Sequence, residues 1–225
     1  TALGGCGVSL EELTGMYSVF ANYGKYFTPL YTKTDDNYNN SQQVLSSGAN
    51  YMVAKTLTML RRSDLPNRSE SVINMPKIAW KTGTSYGRRD AWSIGFNNNY
   101  TVGVWCGNFD GKGVPELNGA DIATPLLLQI FNAIGKSNTE KDWFKKPKDL
   151  QYRWVCAESG NVPNEFCTDK IMALYIPGKS PNKKCEHLRK VWVNADSTLS
   201  YCSSCLPNDG YVEKLYPNYP PELIQ

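Results

Sequence analysis

No stretch of the 225 residues approaches the roughly 18 consecutive apolar side chains that a membrane-spanning helix needs, so the chain is not a membrane bundle. It has no dense basic run, and 24 Lys+Arg against 21 Asp+Glu leave a net charge of only +3, which gives no reason to expect a nucleic acid partner. It has no internal repeat, and its one histidine is His187. It opens at Thr1 without an initiator Met, a charged n-region or an apolar h-region. The expectation is therefore a piece of a longer protein, without an export signal of its own. What is present is ordinary globular material: 41% hydrophobic and 12% aromatic residues exclude a disordered chain. At about 150 residues per domain, the length allows one or two domains.

The seven cysteines divide unevenly: Cys6 and Cys106 stand apart, while Cys156, Cys167, Cys185, Cys202 and Cys205 crowd the C-terminal part. Composition shifts at the same place. Residues 136–148 are polar and then basic, ending Lys145-Lys146-Pro147-Lys148, and read as a solvated linker. Two domains are expected, 1–147 and 148–225.

Ser9-Leu10-Glu11-Glu12 is a capping box, followed by Leu10, Leu13, Met16, Tyr17 and Phe20 at helical spacing up to Gly24. A second helix is expected from Ala49 to Leu60, with Arg61 and Arg62 suiting its negative C-terminal end. After Pro76 the period changes to two. Lys77–Lys81 and Ala91–Phe96 read as strands, and Asn97-Asn98-Asn99 turns the latter into the alternating run Tyr100–Cys106. A helix from Asp121 to Ile134, with Pro125 in its first turn and Gly135 beyond its end, closes the domain. The fold class is α+β, an antiparallel sheet flanked by helices. In the C-terminal part, Tyr152–Cys156, Ile171–Ile176, Val191–Val193, Leu199–Cys202 and Tyr211–Leu215 predict a small β-rich module.

The segment that carries chemistry is Lys81-Thr82-Gly83-Thr84-Ser85. On a strand, Lys81 and Gly83 point one way and Thr82 and Thr84 the other. Gly83 lets an acyl donor lie close against the strand and pair with its backbone. The hydroxyls and the ammonium supply neutral and cationic donors for a substrate carboxylate. Arg88, Arg89 and Asp90 read as a structural pairing or a solvated turn, with Asp90 a candidate supporting residue at the mouth of the strand. Trp80, Trp92 and Trp105 read as hairpin packing.

The run from Trp80 through Lys81-Thr82-Gly83 to Trp92, with Ile94-Gly95-Phe96 and Thr101–Trp105, closely resembles the transpeptidase domain of class A penicillin-binding proteins. Leu3-Gly4-Gly5 and Phe20-Ala21-Asn22-Tyr23-Gly24 fit the same family. The tail, with Trp154-Val155-Cys156, Cys167, Ile176–Pro181 and Cys185-Glu186-His187, is similar to the C-terminal extension of its 1C type. The resemblance implies peptidoglycan cross-linking. A serine attacks the penultimate D-Ala carbonyl of a stem peptide, expels the terminal D-Ala, and an amine of a neighbouring strand resolves the acyl-enzyme. It further implies a parent anchored in the inner membrane on the periplasmic side. That parent would also carry a glycosyltransferase and would bind stem peptides, β-lactams and other cell-wall synthesis proteins. By position, Lys81 joins proton transfer and carboxylate binding, Thr82, Gly83, Thr84 and Ser85 bind substrate, and the Thr84 N–H forms half of an oxyanion hole.

Export of such a parent permits disulfides, and five cysteines are dense for so small a module. Cys156 and Cys167 flank a Gly-Asn-Val-Pro-Asn turn and are a candidate pair. Cys185, His187, Cys202 and Cys205 have spacing that resembles a structural zinc site. Disulfides with one thiol left over are favoured over a structural metal and over reduced cysteines, and no cofactor is expected. Leu206-Pro207-Asn208 argues against a thioredoxin-like role for Cys202 and Cys205.

The family's S-x-x-K and S-x-N elements are expected upstream of Thr1. Ser180-Pro181-Asn182-Lys183 matches the first in letters only, because Pro181 and Pro177-Gly178 place it in a loop. Ser159-Gly160-Asn161 and Ser180-Pro181-Asn182 match the second as emptily, both following Lys81-Thr82-Gly83 instead of preceding it. A non-catalytic protein that retains the strand to bind peptidoglycan or a partner is the alternative, and a β-lactamase is a weaker one. Incubated with a fluorescent penicillin, this chain alone is expected to give no covalent band; an acylated serine within it overturns that expectation.

Overall fold

Helix α1 (Leu10–Ala21) begins where two residues satisfy each other's backbone donors. Ser9 Oγ accepts the Glu12 N–H at 3.1 Å, and the Glu12 carboxylate accepts the Ser9 N–H at 2.8 Å. Those bonds, led by the one from the Ser9 backbone, hold the Glu12 carboxyl below its usual pKa. The helix ends at Tyr23 and Gly24, both with positive φ (54° and 88°), and a methyl on Gly24 would lie 2.2 Å from the Leu45 carbonyl. Glycine is required there by both backbone angle and space. The computed structural model describes residues 6–32, 41–58, 77–134 and 143–219. Leu3-Gly4-Gly5, Leu60, Arg61, Arg62, Gly135 and the start of the expected linker lie outside the described residues.

Beyond Gly24 the chain forms β1 (Lys25–Phe27), which pairs antiparallel with β2 (Ser41–Gln43) and leads to α2 (Ser47–Thr58). Neither short strand shows an alternating apolar pattern, and β2 is exposed throughout, so the sequence carries no period from which to expect them.

The centre of this unit is an antiparallel meander of β3 (Ala79–Thr84), β4 (Asp90–Phe96) and β5 (Thr101–Gly107). Asn97 turns β4 into β5 by accepting the N–H groups of Asn99 and Tyr100, both at 2.8 Å. Alternation then sorts the side chains into two layers. Ile78, Trp80, Ala91 and Val104 pack with Ala123, Leu127 and Phe131 on one face, under α3 (Thr124–Ile134). Ala79 and Phe96 pack with Ala54 of α2, with Phe144, and with Tyr17 and Phe20 of α1 on the other. The Phe20 and Phe96 rings stack at 5.6 Å. Gly95 and Gly103 have no room for more: an added methyl would meet Phe131 at 3.0 Å in the first case and Thr14 Oγ1 at 2.1 Å in the second. The fold is α+β, with helices on both sides of an antiparallel sheet.

Two boundaries differ from expectation: β3 spans Ala79–Thr84 where alternation predicts Lys77–Lys81, and the start of the unit's last helix is displaced. The helix expected from Asp121 begins as a π-helical turn, Gly119–Ala123, and becomes α-helical only at Thr124. Pro125 has no N–H to give the Asp121 carbonyl, so the chain enters α3 through a wider turn. Asn118 caps it by accepting the Asp121 N–H at 2.8 Å, and Thr124 Oγ1 donates to the Gly119 carbonyl at 2.9 Å.

The contacts divide the chain into two units, 1–149 and 150–225. In the second, β6 (Gln151–Cys156) and β7 (Lys170–Tyr175) form a hairpin, and β8 (Leu188–Asn194) lies between β10 (Tyr211–Pro217) and β9 (Ser200–Tyr201). These strands lie within a few residues of the runs expected from alternation. The unit's buried cluster is made of three cysteines, Cys156, Cys167 and Cys185.

Phe131→Ala is expected to destabilise the first unit by about 3–5 kcal/mol, because it empties a fully buried site beneath the sheet. Tyr86→Ala, at a wholly exposed ring, is expected to stay within about 0.5 kcal/mol. Urea denaturation of the two variants checks both.

Candidate functional site

The Ser85 N–H donates to the Asp90 carbonyl at 3.0 Å. Hydrogen-bonded and non-bonded pairs alternate along an antiparallel ladder, so Gly83–Trp92 and Lys81–Ile94 are the next bonded pairs inward. The backbone groups of Thr82 and Thr84 then point away from β4. Strand β3 is at the edge of its sheet, and no other described strand lies along that outer side. An extended segment running beside β3 would meet the Thr84 N–H there, and next to it the Thr82 carbonyl, to which the Lys81 ammonium donates at 2.6 Å.

The side chains divide between the two faces. Lys81 and Gly83 share the face of α1 and α2, and Lys81 is exposed. Thr82 and Thr84 share the face of Trp80 and α3. Thr84 Oγ1 accepts the Gly119 N–H at 3.0 Å, which leaves its own proton for a carboxylate oxygen. The π-helical turn thus positions a hydroxyl of the site, a role the periodicity of the sequence does not reveal. The readable signal was Asn118-Gly119 ahead of an apolar helix.

Gly119 and Gly83 make different demands. A methyl on Gly119 would lie 2.4 Å from the Trp92 carbonyl oxygen and 2.5 Å from that of Gly83, so the turn sits directly on the ladder. A methyl on Gly83 would meet nothing nearer than Trp92 Cβ at 3.6 Å. The chain's own packing therefore does not require a glycine at 83.

Ser85 and Asp90 serve the hairpin. Ser85 Oγ accepts the Asp90 N–H at 2.8 Å, and the Asp90 carboxylate accepts the Trp105 indole N–H at 2.9 Å. Arg88, at φ 53°, donates from its backbone to the Ser85 carbonyl at 3.0 Å and from its guanidinium to the Pro115 carbonyl. Ser85 and Asp90 thus hold the mouth of the strand. An open groove of about 680 Å3 lies elsewhere, lined by Leu10, Thr14 and Ser18 of α1 with Pro29, Tyr31 and Gly103, on the β5 side of the sheet.

The motif look-alikes fall where no nucleophile is built. Ser180 follows β7 in a loop, and its Oγ accepts the Ile176 N–H at 2.9 Å. Ser159 Oγ accepts the Asn161 N–H at 3.2 Å and donates to Cys185 Sγ at 3.0 Å.

The cysteines depart from both expected groupings. All seven are free thiols, so Cys156 and Cys167 are not paired. Instead they meet Cys185 and His187, with one ligand atom from each within 4.8 Å of all the others. Cys202 and Cys205 are not part of that group; they are exposed, with their sulfurs 2.7 Å from each other. The reason is topological. The β6–β7 hairpin brings Cys156 and Cys167 to one end, and the bridge between Val162 and Lys184, with the Cys185 N–H on the Val162 carbonyl at 2.7 Å, draws in Cys185. Backbone bonding from Ser159 lowers the Cys156 thiol pKa, whereas burial raises that of Cys167.

Residues 146–190 match the family described as penicillin-binding protein 1A, C-terminal domain. The chain is 31% identical over 182 residues to penicillin-binding protein 1C of Escherichia coli (strain K12), an alignment covering 80% of this chain and 23% of that one. It is 24% identical to penicillin-binding protein 1A of Aquifex aeolicus (strain VF5), covering 84% of this chain and 27% of the relative. The chain thus spans about a quarter of the length of these relatives. Its fold is similar to that of the crystal structure of penicillin-binding protein 1A from Haemophilus influenzae, with TM-score 0.58 and 18% identity over 79% of this chain and 33% of that one.

Gly119→Ala is expected to destabilise the first unit by about 1–3 kcal/mol, since backbone oxygens wall its position. Gly83→Ala, meeting only ordinary contacts, is expected to leave stability unchanged or raise it by up to about 1 kcal/mol. Thermal unfolding of the two variants measures the difference.

Proposed function

This chain belongs to the class A penicillin-binding proteins, and on that premise we propose that it supplies the peptide-gripping edge of a serine D,D-transpeptidase in peptidoglycan synthesis. The observation that carries the reading is an edge strand with an outward Thr84 N–H, beside an exposed ammonium and a glycine its own fold does not need.

The D-Ala-D-Ala end of a stem peptide would lie alongside β3 as an added strand. The Thr82 and Thr84 hydroxyls and the Lys81 ammonium would receive its terminal carboxylate, pairing the charge and fixing the register. A serine outside these residues would attack the penultimate carbonyl. The oxygen that gains negative charge would be held by the Thr84 N–H and by the serine's own N–H, and loss of one such donor costs roughly 2.7–4 kcal/mol in other acyl-transfer enzymes. Collapse of the tetrahedral intermediate breaks the peptide bond. The terminal D-Ala departs as an amine after accepting a proton, in an exchange to which Lys81 contributes. A second amine, from a neighbouring strand, then attacks the acyl-serine and regenerates the hydroxyl.

A β-lactam would occupy the same edge with its carboxylate on the same donors. The reaction belongs on the outer side of the inner membrane, where peptidoglycan is assembled. Among the described residues no helix is long and apolar enough to cross a membrane.

In the protein that contains the serine, Lys81→Ala is expected to slow acylation by a fluorescent penicillin by roughly 10–100-fold, the equivalent of one charge-assisted contact. Unchanged acylation kinetics overturn the assignment. Gly83→Val there is expected to block acylation while the sheet stays folded, as read from far-ultraviolet circular dichroism.

A further inference from the structure

We propose that Cys156, Cys167, Cys185 and His187 form a structural zinc site that holds the second unit together. Their ligand atoms all lie within 4.8 Å of one another. Tetrahedral zinc, with Zn–S near 2.3 Å and Zn–N near 2.0–2.1 Å, requires ligand separations of roughly 3.5–3.8 Å. Cys156 Sγ is 3.6 Å from His187 Nδ1, and Cys185 Sγ is 2.7 Å from it, so that last pair must open by about 1 Å.

The donor set selects the ion. Three sulfurs and one imidazole nitrogen suit zinc, and a set without oxygen ligands does not suit calcium or magnesium. Four protein ligands complete a tetrahedron with no open position, which is the arrangement of a structural site. On binding, the three thiols release their protons to solvent and His187 coordinates through a neutral Nδ1.

The surroundings fit ligation. His187 Nε2 is 3.8 Å from a Glu158 carboxylate oxygen, while Nδ1 is the ring nitrogen that lies beside the sulfurs of Cys156 and Cys185. Ser159 Oγ donates to Cys185 Sγ at 3.0 Å, and the Asn164 N–H donates to Cys167 Sγ at 3.4 Å. Asn164 Nδ2 also donates to the Cys185 carbonyl at 2.8 Å, joining the two ligand segments.

The fold has a use for such a link. Cys156 ends β6, Cys167 precedes β7, and Cys185 and His187 precede β8, so one ion ties the hairpin to the three-stranded sheet. The three buried cysteines are themselves the core cluster of this unit. A disulfide between any two would leave the third thiol and the imidazole without an equivalent partner. Small modules with little apolar core gain stability from a metal in this way.

The test uses the full chain, purified without reductant, with zinc measured by elemental analysis and native mass spectrometry before and after EDTA. One tightly bound zinc per chain is expected. Its removal should expose Cys156, Cys167 and Cys185 to alkylation and abolish amide-exchange protection of β6–β8, while β3–β5 stay protected. Cys185→Ser and His187→Ala should each lower zinc affinity at least about 100-fold, and His187→Cys should retain it. If the serine variant fails to fold, the His187→Ala and His187→Cys pair decides. The double variant Cys202→Ser/Cys205→Ser should keep full zinc content. A disulfide among Cys156, Cys167 and Cys185 in non-reducing peptide maps, failure of the thiols to bind added zinc, or zinc loss only on changing Cys202 and Cys205 overturns the proposal.

Discussion

The site depends on a sheet that is buried on both faces. Strands β3–β5 are covered by α3 on one side and by α1 and α2 on the other, so their backbone geometry is set by packing from both directions. With both faces committed and β4 occupying one side of β3, the remaining direction of approach at Thr82 and Thr84 is the outer edge. An exposed edge strand is ordinarily a hazard for aggregation. On the proposed reading its rigidity is an asset: donors fixed by a packed sheet would not have to be ordered when a peptide arrives, so less binding energy would be lost in ordering them.

The π-helical turn at Gly119–Ala123 ties that edge to α3. It lies on the Gly83–Trp92 rung closely enough to exclude any side chain at 119, and its N–H holds the Thr84 hydroxyl. Buried Ser93 and Thr124, 3.1 Å apart, join the same turn to the middle strand. Polar groups beneath the sheet are thus satisfied by one another, as burial demands, and the orientation of a site hydroxyl follows from that arrangement.

The second unit solves the opposite problem. Its strands pair well, but much of their apolar surface stays in solvent: Trp154, Ile171, Met172 and Val212 are all exposed. What is buried includes sulfur, drawn together by backbone bonding between the segments at Val162 and Cys185. Apart from these sulfurs, the apolar interior of so small a module is thin, with Leu150, Val155 and Val193 its buried aliphatic side chains among the described residues.

Local rules carried much of the fold. The capping box at Ser9, the alternation through β4 and β5, the Asn97 turn and the five C-terminal strands follow from contacts within a few residues, and those are written in order along the chain. Lys81-Thr82-Gly83-Thr84 was readable in part: a strand's two faces follow from its period, but the alternation ends at Lys81 whereas β3 runs on to Thr84. Other features were not. The short pair β1–β2 has no apolar period, and the start of α3 shifted because Pro125 withholds a donor. Spacing along the chain does not group the cysteines as the fold does, since Cys156 and Cys167 lie far in sequence from Cys185 and His187. The sequence by itself determined which residues alternate, which turn and which cap, since each is a matter of near neighbours. Only the tertiary structure decided that Gly119 would hold Thr84 and that Cys156 and Cys167 would meet Cys185 and His187, because those meetings depend on which strands pair and in what register.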